Sequence, residues 1–161
     1  MKPQMRTGIG FDAHRFETGR HLVIGGVEIP HDKGLGGHSD ADVLLHAICD
    51  AILGAAGLPD IGHHFPDNDA QFKNISSLDL LQNVCEIIKQ HGFHAVQIDS
   101  IVIAETPKIS PFVDQMKNRI ARVLGLEPSA IGIKATTTEG MGFTGRGEGI
   151  AAQAIAMLTE P

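Results

Sequence analysis

Tryptophan and tyrosine are absent from this 161-residue chain, and seven phenylalanines are its only aromatic carbocycles. Base stacking on aromatic platforms therefore has little to draw on. Cysteine occurs twice, at Cys49 and Cys85, with no C-x-x-C pair. A disulfide framework and a thiolate zinc site find almost no support, and both thiols fall on apolar stripes of expected helices, as buried thiols. No apolar window reaches membrane-spanning length and no basic start leads into one, so a soluble cytoplasmic protein with no membrane partner is expected. Basic residues are in deficit, 13 Lys and Arg against 19 Asp and Glu, for a formal charge of −6. That balance argues against nucleic acid as a partner. It leaves room for an anionic small molecule, because a metal and local donors reverse the sign within a pocket.

Histidine and glycine are plentiful instead, at nine and 19 residues. The length suits one domain over residues 1–161, large enough for a core without staples. Arg6 to Asp12 reads as a short strand. His21 to Ile24 and Val27 to Ile29 flank Gly25-Gly26, a two-residue hairpin signal. After a glycine-rich loop, Gly34 to Gly37, Ser39 is the expected N-cap of a helix, with Asp42 three positions on in an acidic capping box. Val43, Leu44, Ala47, Ile48, Ala51, Ile52 and Ala55 recur at helical spacing up to a stop at Gly57. Pro59 to Asn74 is polar, turn-rich and too long for a plain connector, which marks a functional loop. A second helix is expected from Ser77 to Gly92 and a strand from Val96 to Ala104. A third helix opens at Ser110-Pro111 and ends at Gly125. Strands follow at Ala130 to Ala135 and Gly149 to Leu158. Without a strict βαβ rhythm, the class is α+β, a compact mixed-sheet and helix sandwich.

Asp12-Ala13-His14 places two side chains on one face of an extended segment. His46 lies in the run Asp42, His46, Asp50, a polar stripe on the expected helix. One carboxylate and two imidazoles suit catalytic zinc with an open fourth position, and Asp42 and Asp50 are candidates to orient the imidazole. A solvated helix face would read the same way. Gly36-Gly37-His38-Ser39 runs into a helix N-terminus, where backbone N–H groups favour an anion or serve the cap alone. Lys134-Ala135-Thr136-Thr137-Thr138-Glu139 offers a cation, hydroxyls and a carboxylate for a phosphate and its counter-ion, or is an ordinary threonine-rich strand. Gly140 to Gly149 holds five glycines, fits neither a P-loop nor a Rossmann fingerprint, and suits a ligand loop or a symmetric interface. No Ser/His/Asp or Cys/His arrangement for a protein nucleophile is evident.

Together these motifs resemble the 2-C-methyl-D-erythritol 2,4-cyclodiphosphate synthases of the non-mevalonate isoprenoid pathway, over nearly the whole chain. The resemblance is carried by Gly10-Phe11-Asp12-Ala13-His14, Ile24-Gly25-Gly26-Val27 and His38-Ser39-Asp40-Ala41-Asp42-Val43 with His46. Asp60-Ile61-Gly62, Phe65-Pro66-Asp67-Asn68-Asp69, Lys134 to Glu139 and Gly142 to Gly149 continue it. It implies a homotrimer with sites between subunits. It also implies conversion of 4-diphosphocytidyl-2-C-methyl-D-erythritol 2-phosphate to the cyclic diphosphate and CMP, the substrate's own 2-phosphate attacking its β-phosphate.

Carried over by position, Asp12, His14 and His46 would hold zinc, and Glu139 would help hold magnesium or manganese on the diphosphate. His38 and Thr137 would stabilise the transition state, with Ser39 binding phosphate. Asp60, Ile61 and Gly62 with Phe65, Pro66, Asp67, Asn68 and Asp69 would line the sugar-alcohol part. Ala104, Glu105, Thr106, Pro107, Lys108, Ile109 and Ser110 would form the cytidine pocket, beside Ala135, Thr136 and Thr138. Phe143 and Arg146 would line a central cavity open to an isoprenoid diphosphate. Gly140-Met141 and His63-His64 fall outside the shared pattern. A zinc phosphohydrolase and a non-catalytic sensor of nucleotide or isoprenoid diphosphate are the competing readings.

Overall fold

The computed structural model describes residues 4–160. Five strands form one sheet in the order β4 (Lys33–Leu35), β1 (Met5–Thr18), β7 (Gly149–Thr159), β5 (His94–Ile103), β6 (Ile131–Thr136), and β2 (Leu22–Ile24) pairs with β3 (Val27–Ile29) as a separate hairpin. Among the described residues only the β5–β6 pair is parallel. Three longer helices, α1 (Val43–Ala55), α3 (Ser77–Gln90) and α4 (Val113–Leu124), accompany two single-turn ones, α2 (Ile61–His64) and α5 (Gly142–Gly145). The α+β class is as expected. Among the described residues no helix is long and apolar enough to cross a membrane.

One face of the sheet packs on α1, and small residues set how closely. A Cβ on Gly8 would lie 2.2 Å from the Ala51 carbonyl oxygen, and one on Gly10 would lie 1.9 Å from that of Ala47. The inward positions of β7 are Ile150, Ala152, Ala154, Ala156 and Leu158, all buried, and the middle three are alanine. Backbone therefore lies almost against backbone, which brings the start of α1 beside the middle of β1. The opposite face is bare. Ile9 and Ile155 are direct cross-strand partners there, and with Phe11 and Met5 they leave half or more of their side-chain surface exposed.

Several boundaries differ from the sequence reading. The first strand runs to Thr18 because β4 and β7 continue to pair with it. The third helix begins with a 3₁₀ turn at Ser110–Phe112 before α4 takes over. The long loop after α1 folds locally into α2 and a 3₁₀ turn at Ala70–Phe72. The N-cap of α1 is Asp42, not Ser39. Its buried carboxylate accepts the N–H groups of Leu45, Gly25 and Gly26 at 3.0, 2.9 and 2.7 Å, so one side chain both caps the helix and ties down the hairpin turn. Nor does α1 carry a solvated stripe. Every residue of it except Asp50 and Gly54 is buried, His46 included, since the helix lies between the sheet and α3. Of the two thiols, Cys49 is buried but Cys85 only partly so.

Candidate active site

Asp12 and His14 point inward from alternate positions of β1, and His46 reaches them from the first turn of α1. Asp12 Oδ2 lies 2.8 Å from His14 Nε2 and 3.1 Å from His46 Nδ1, and the two nitrogens are 3.2 Å apart. A tetrahedral zinc ion with bonds of about 2.0–2.2 Å separates its ligands by roughly 3.3–3.5 Å, so the trio closes around such an ion with a small outward adjustment. The far ring nitrogens fix the tautomers this requires. His14 Nδ1 is 2.7 Å from the Gly36 carbonyl oxygen, which only accepts, so Nδ1 carries the proton and Nε2 presents its lone pair inward. His46 Nε2 lies 3.1 Å from both Ser39 Oγ and Ser77 Oγ. Ser77 Oγ already donates to Asp40, which leaves it free to accept from Nε2–H, so His46 Nδ1 also faces inward as a ligand.

The electrostatics agree. Burial pushes the Asp12 carboxyl up, but hydrogen bonds and charge from both imidazoles outweigh it and hold the group at about 2. Burial pushes His14 down, and Asp12 with the Gly36 carbonyl more than reverses that, leaving its pKa raised. Such a cluster favours positive charge at its centre.

The proposed orienting carboxylates do other work. Asp42 serves the cap and the hairpin, as above. Asp50 accepts the Ile61 N–H at 2.9 Å, fixing the start of α2, while also lining the cavity beside the trio. The groups that do orient His46 are Ser39 and Ser77, backed by Asp40. Sequence spacing gives Ser77 no such role, because residue 77 is 31 positions from His46 and only the packing of α3 on α1 joins them.

A cavity of ≈ 310 Å³ opens onto the trio, lined by His38 and Ser39 on one wall and by Asp60, Ile61, Gly62, Phe65, Pro66 and Asp67 on another. Asn68 is exposed, and Asp69 caps the 3₁₀ turn that follows it, so neither lines the cavity.

The remaining candidates form a second group. Across the sheet Asp12 pairs with Ala152, Ala152 with Val102, and Val102 with Ala135. Three strand spacings, roughly 14 Å, thus separate β6 from the trio within one chain. There, Glu105 Oε1 accepts from the N–H groups of Thr138 and Gly140 at 3.1 and 3.3 Å and joins the 104–110 segment to the threonine loop. Thr138 Oγ1 is engaged with Thr144 Oγ1 and the Met141 carbonyl, and Ile109 is buried in the core. Those two side chains, with Glu105, build the loop. Thr136, Thr137, Glu139, Thr106 and Lys108 stand exposed. Glu139 sits at φ +54°, a strained conformation for a residue with a side chain. Lys134, expected with this loop, instead pairs with Asp99 on the neighbouring strand. Phe143 is exposed, and Arg146 pairs with Glu148 at 2.9 Å.

Comparison with known proteins adds a finding independent of this geometry. Residues 5–159 match the model of the YgbB family. The 2-C-methyl-D-erythritol 2,4-cyclodiphosphate synthase of Syntrophomonas wolfei is 56% identical over 156 residues, covering 97% of this chain and 99% of that protein. The bifunctional IspDF of Campylobacter jejuni superposes with a TM-score of 0.95 at 44% identity, over 99% of this chain and 43% of the longer one. The CDP complex of IspF from Plasmodium falciparum superposes with a TM-score of 0.84 at 33% identity, covering 97% and 96% of the two chains.

Proposed function

The chain belongs to the YgbB family, and we propose that its two groups of site residues meet across a subunit boundary to carry out the reaction. It converts 4-diphosphocytidyl-2-C-methyl-D-erythritol 2-phosphate to 2-C-methyl-D-erythritol 2,4-cyclodiphosphate with release of CMP, a step of isoprenoid synthesis. The observation that carries the mechanism is the convergence of Asp12, His14 and His46 on one point beside the His38–Ser39 wall.

An oxygen of the substrate's 2-phosphate attacks the β-phosphorus. The bond from that phosphorus to the bridging oxygen breaks, and the electron pair leaves with CMP. Asp12, His14 and His46 would hold a divalent ion, which their two-imidazole and one-carboxylate donor set suits to zinc, and it would supply Lewis acidity there. The protein's own groups position the chain of phosphates and neutralise its charge. His38 donates to a phosphate oxygen from its wall, and Ser39 binds alongside. Asp60 to Gly62 and Phe65 to Asp67 enclose the sugar alcohol. From the neighbouring subunit, Thr137 donates to the diphosphate, and Glu139 would help hold a second cation, magnesium or manganese. The 104–110 segment takes the cytidine through its backbone and small side chains.

Two features favour an assembly of several copies, which the family resemblance implies is a homotrimer. The bare sheet face built on Ile9, Phe11 and Ile155 is an apolar patch of the kind that marks an interface. The separation of the two groups within one chain also leaves each site incomplete alone. In such an assembly Phe143 and Arg146 face the central axis, where an isoprenoid diphosphate would bind.

Phosphorus NMR of the products, paired with metal analysis, tests the reaction. Cyclic diphosphate and CMP in equal amounts support it, and open-chain phosphates would identify a phosphohydrolase instead. Sedimentation and turnover of Ile9→Asp test the assembly. The expected variant is monomeric, still binds metal and is inactive, while a fully active monomer would refute the shared site.

A further inference from the structure

The wall formed by Gly37, His38 and Ser39 has an outer side, away from the metal trio. Arg20, two residues beyond the end of β1, lies along it. Its Nη1 donates to the Gly37 carbonyl at 2.5 Å and its Nη2 to the Ser39 carbonyl at 2.6 Å, so one guanidinium brackets His38. The His38 carbonyl is itself taken by the Asn74 N–H at 3.2 Å. In a trans peptide the N–H points opposite to the C=O. The only cis bond among the described residues is Thr106–Pro107. The carbonyls held by Arg20 therefore turn the N–H groups of His38 and Asp40 away from the guanidinium, and His38 and Ser39 line the cavity beside the trio while Arg20 does not. Among the described residues, neither of these N–H groups, nor that of Ser39, has a hydrogen-bond partner.

Arg20 is itself held in place. A Cβ on Gly34 of β4 would lie 2.4 Å from the His21 carbonyl oxygen and 2.6 Å from that of Arg20, so the chain is pinned against β4 at this point. Among the described residues Arg20 makes no ion pair. Its planar fork spans two carbonyls at once, which a lysine ammonium on a flexible stem does not reproduce.

We infer that Arg20 is a positioning residue for the reaction: it holds the two peptide groups that flank His38 so that their N–H groups stay free and directed at a substrate phosphate. The inference rests on the reading of the His38–Ser39 loop as a phosphate-binding wall.

Zinc-loaded, ¹⁵N-labelled wild-type protein is titrated with inorganic pyrophosphate, and kcat, KM and zinc content are compared for the wild type, Arg20→Ala and Arg20→Lys. The wild-type His38 and Asp40 amide signals are expected to shift on addition of pyrophosphate. In Arg20→Ala that shift is lost and kcat falls roughly ten- to a hundredfold, the scale of a misplaced contact. Zinc content is unchanged, and KM moves much less than kcat. Arg20→Lys keeps the charge without the fork and regains only a small part of kcat. It also serves as the folded control if the alanine variant is unstable.

Wild-type kcat and amide shifts in Arg20→Ala would overturn the inference. Full recovery in Arg20→Lys would do so too, since charge alone would then suffice. Absence of any amide shift in the wild type would defeat the phosphate-wall reading, and Arg20's role with it. Intact shifts with normal turnover in Arg20→Ala would defeat only the role of Arg20.

Discussion

Asp12, His14 and His46 sit where the far nitrogen of each ring already has its partner, whereas Thr136, Thr137 and Glu139 stand exposed at the end of an outer strand. The first group rests on backbone packed against backbone at Gly10 and Ala47, and on bonds reaching from three different elements. The second rests on Glu105, on the Thr138 hydroxyl and on a residue held at positive φ. A metal needs ligands fixed before it arrives, because strain in the ligands subtracts from affinity. A loop that meets a large substrate at a subunit boundary can be ordered by the contact itself. The two groups should therefore fail differently when damaged.

The largest effect is expected in the first group. His46→Ala removes one of three ligands and should abolish tight metal binding. Turnover should fall by roughly a thousandfold or more, from the loss of several kcal/mol of charge stabilisation. Metal analysis beside CMP release checks this, and undiminished metal content would refute the assignment. Ser77→Ala leaves all three ligands and removes an acceptor for His46 Nε2–H together with the hydroxyl that donates to Asp40. Metal affinity should drop about ten- to a hundredfold, the usual cost of losing an orienting partner, measured by competition with a chromophoric chelator. Ser77→Thr, which keeps the hydroxyl, should recover most of it.

Damage to the second group should leave the metal alone. Glu105→Ala frees the Thr138 and Gly140 N–H groups and unties the loop. KM should rise roughly tenfold, the equivalent of about one charge-assisted hydrogen bond, at unchanged zinc content. Zinc loss in this variant would mean that the two groups are coupled within a single chain.

The same contrast explains what could be read from the sequence. The D-x-H spacing puts Asp12 and His14 on one face whatever the rest of the chain does, and the apolar period around His46 marks a helix. Both are local, and both hold in the structure. The N-cap falls at Asp42 rather than Ser39 for a nonlocal reason: Asp42 is recruited by the Gly25-Gly26 turn, and Ala41 takes a left-handed conformation just before it. Ser39, released from capping, turns to His46. Sequence places Lys134 beside the threonines, but sheet register brings Asp99 within its reach. Ser77 and Arg20 carry no motif at all. Their roles exist only once α3 and the end of β1 have been packed against the 37–40 loop.

The smallest effect is a pH dependence that should reverse when metal is added. Without metal, the raised His14 contributes stability that is fully present below its unfolded value near 6.5 and lost as pH rises through its folded value. The depressed Asp12 contributes stability that is present above its unfolded value of 3.8 and lost as pH falls toward about 2. The metal-free cluster is thus most favourable to folding between roughly pH 4 and 6.5, and weakens above that. With zinc present the sign changes, because the ion competes with the His14 proton and binds more tightly as that proton leaves. Melting temperatures taken from pH 5 to 8, once with chelator and once with zinc, should diverge steadily. Parallel curves would mean that His14 does not exchange its proton for the metal. Glu105→Ala, which leaves the cluster intact, should preserve the divergence, whereas His46→Ala should remove it.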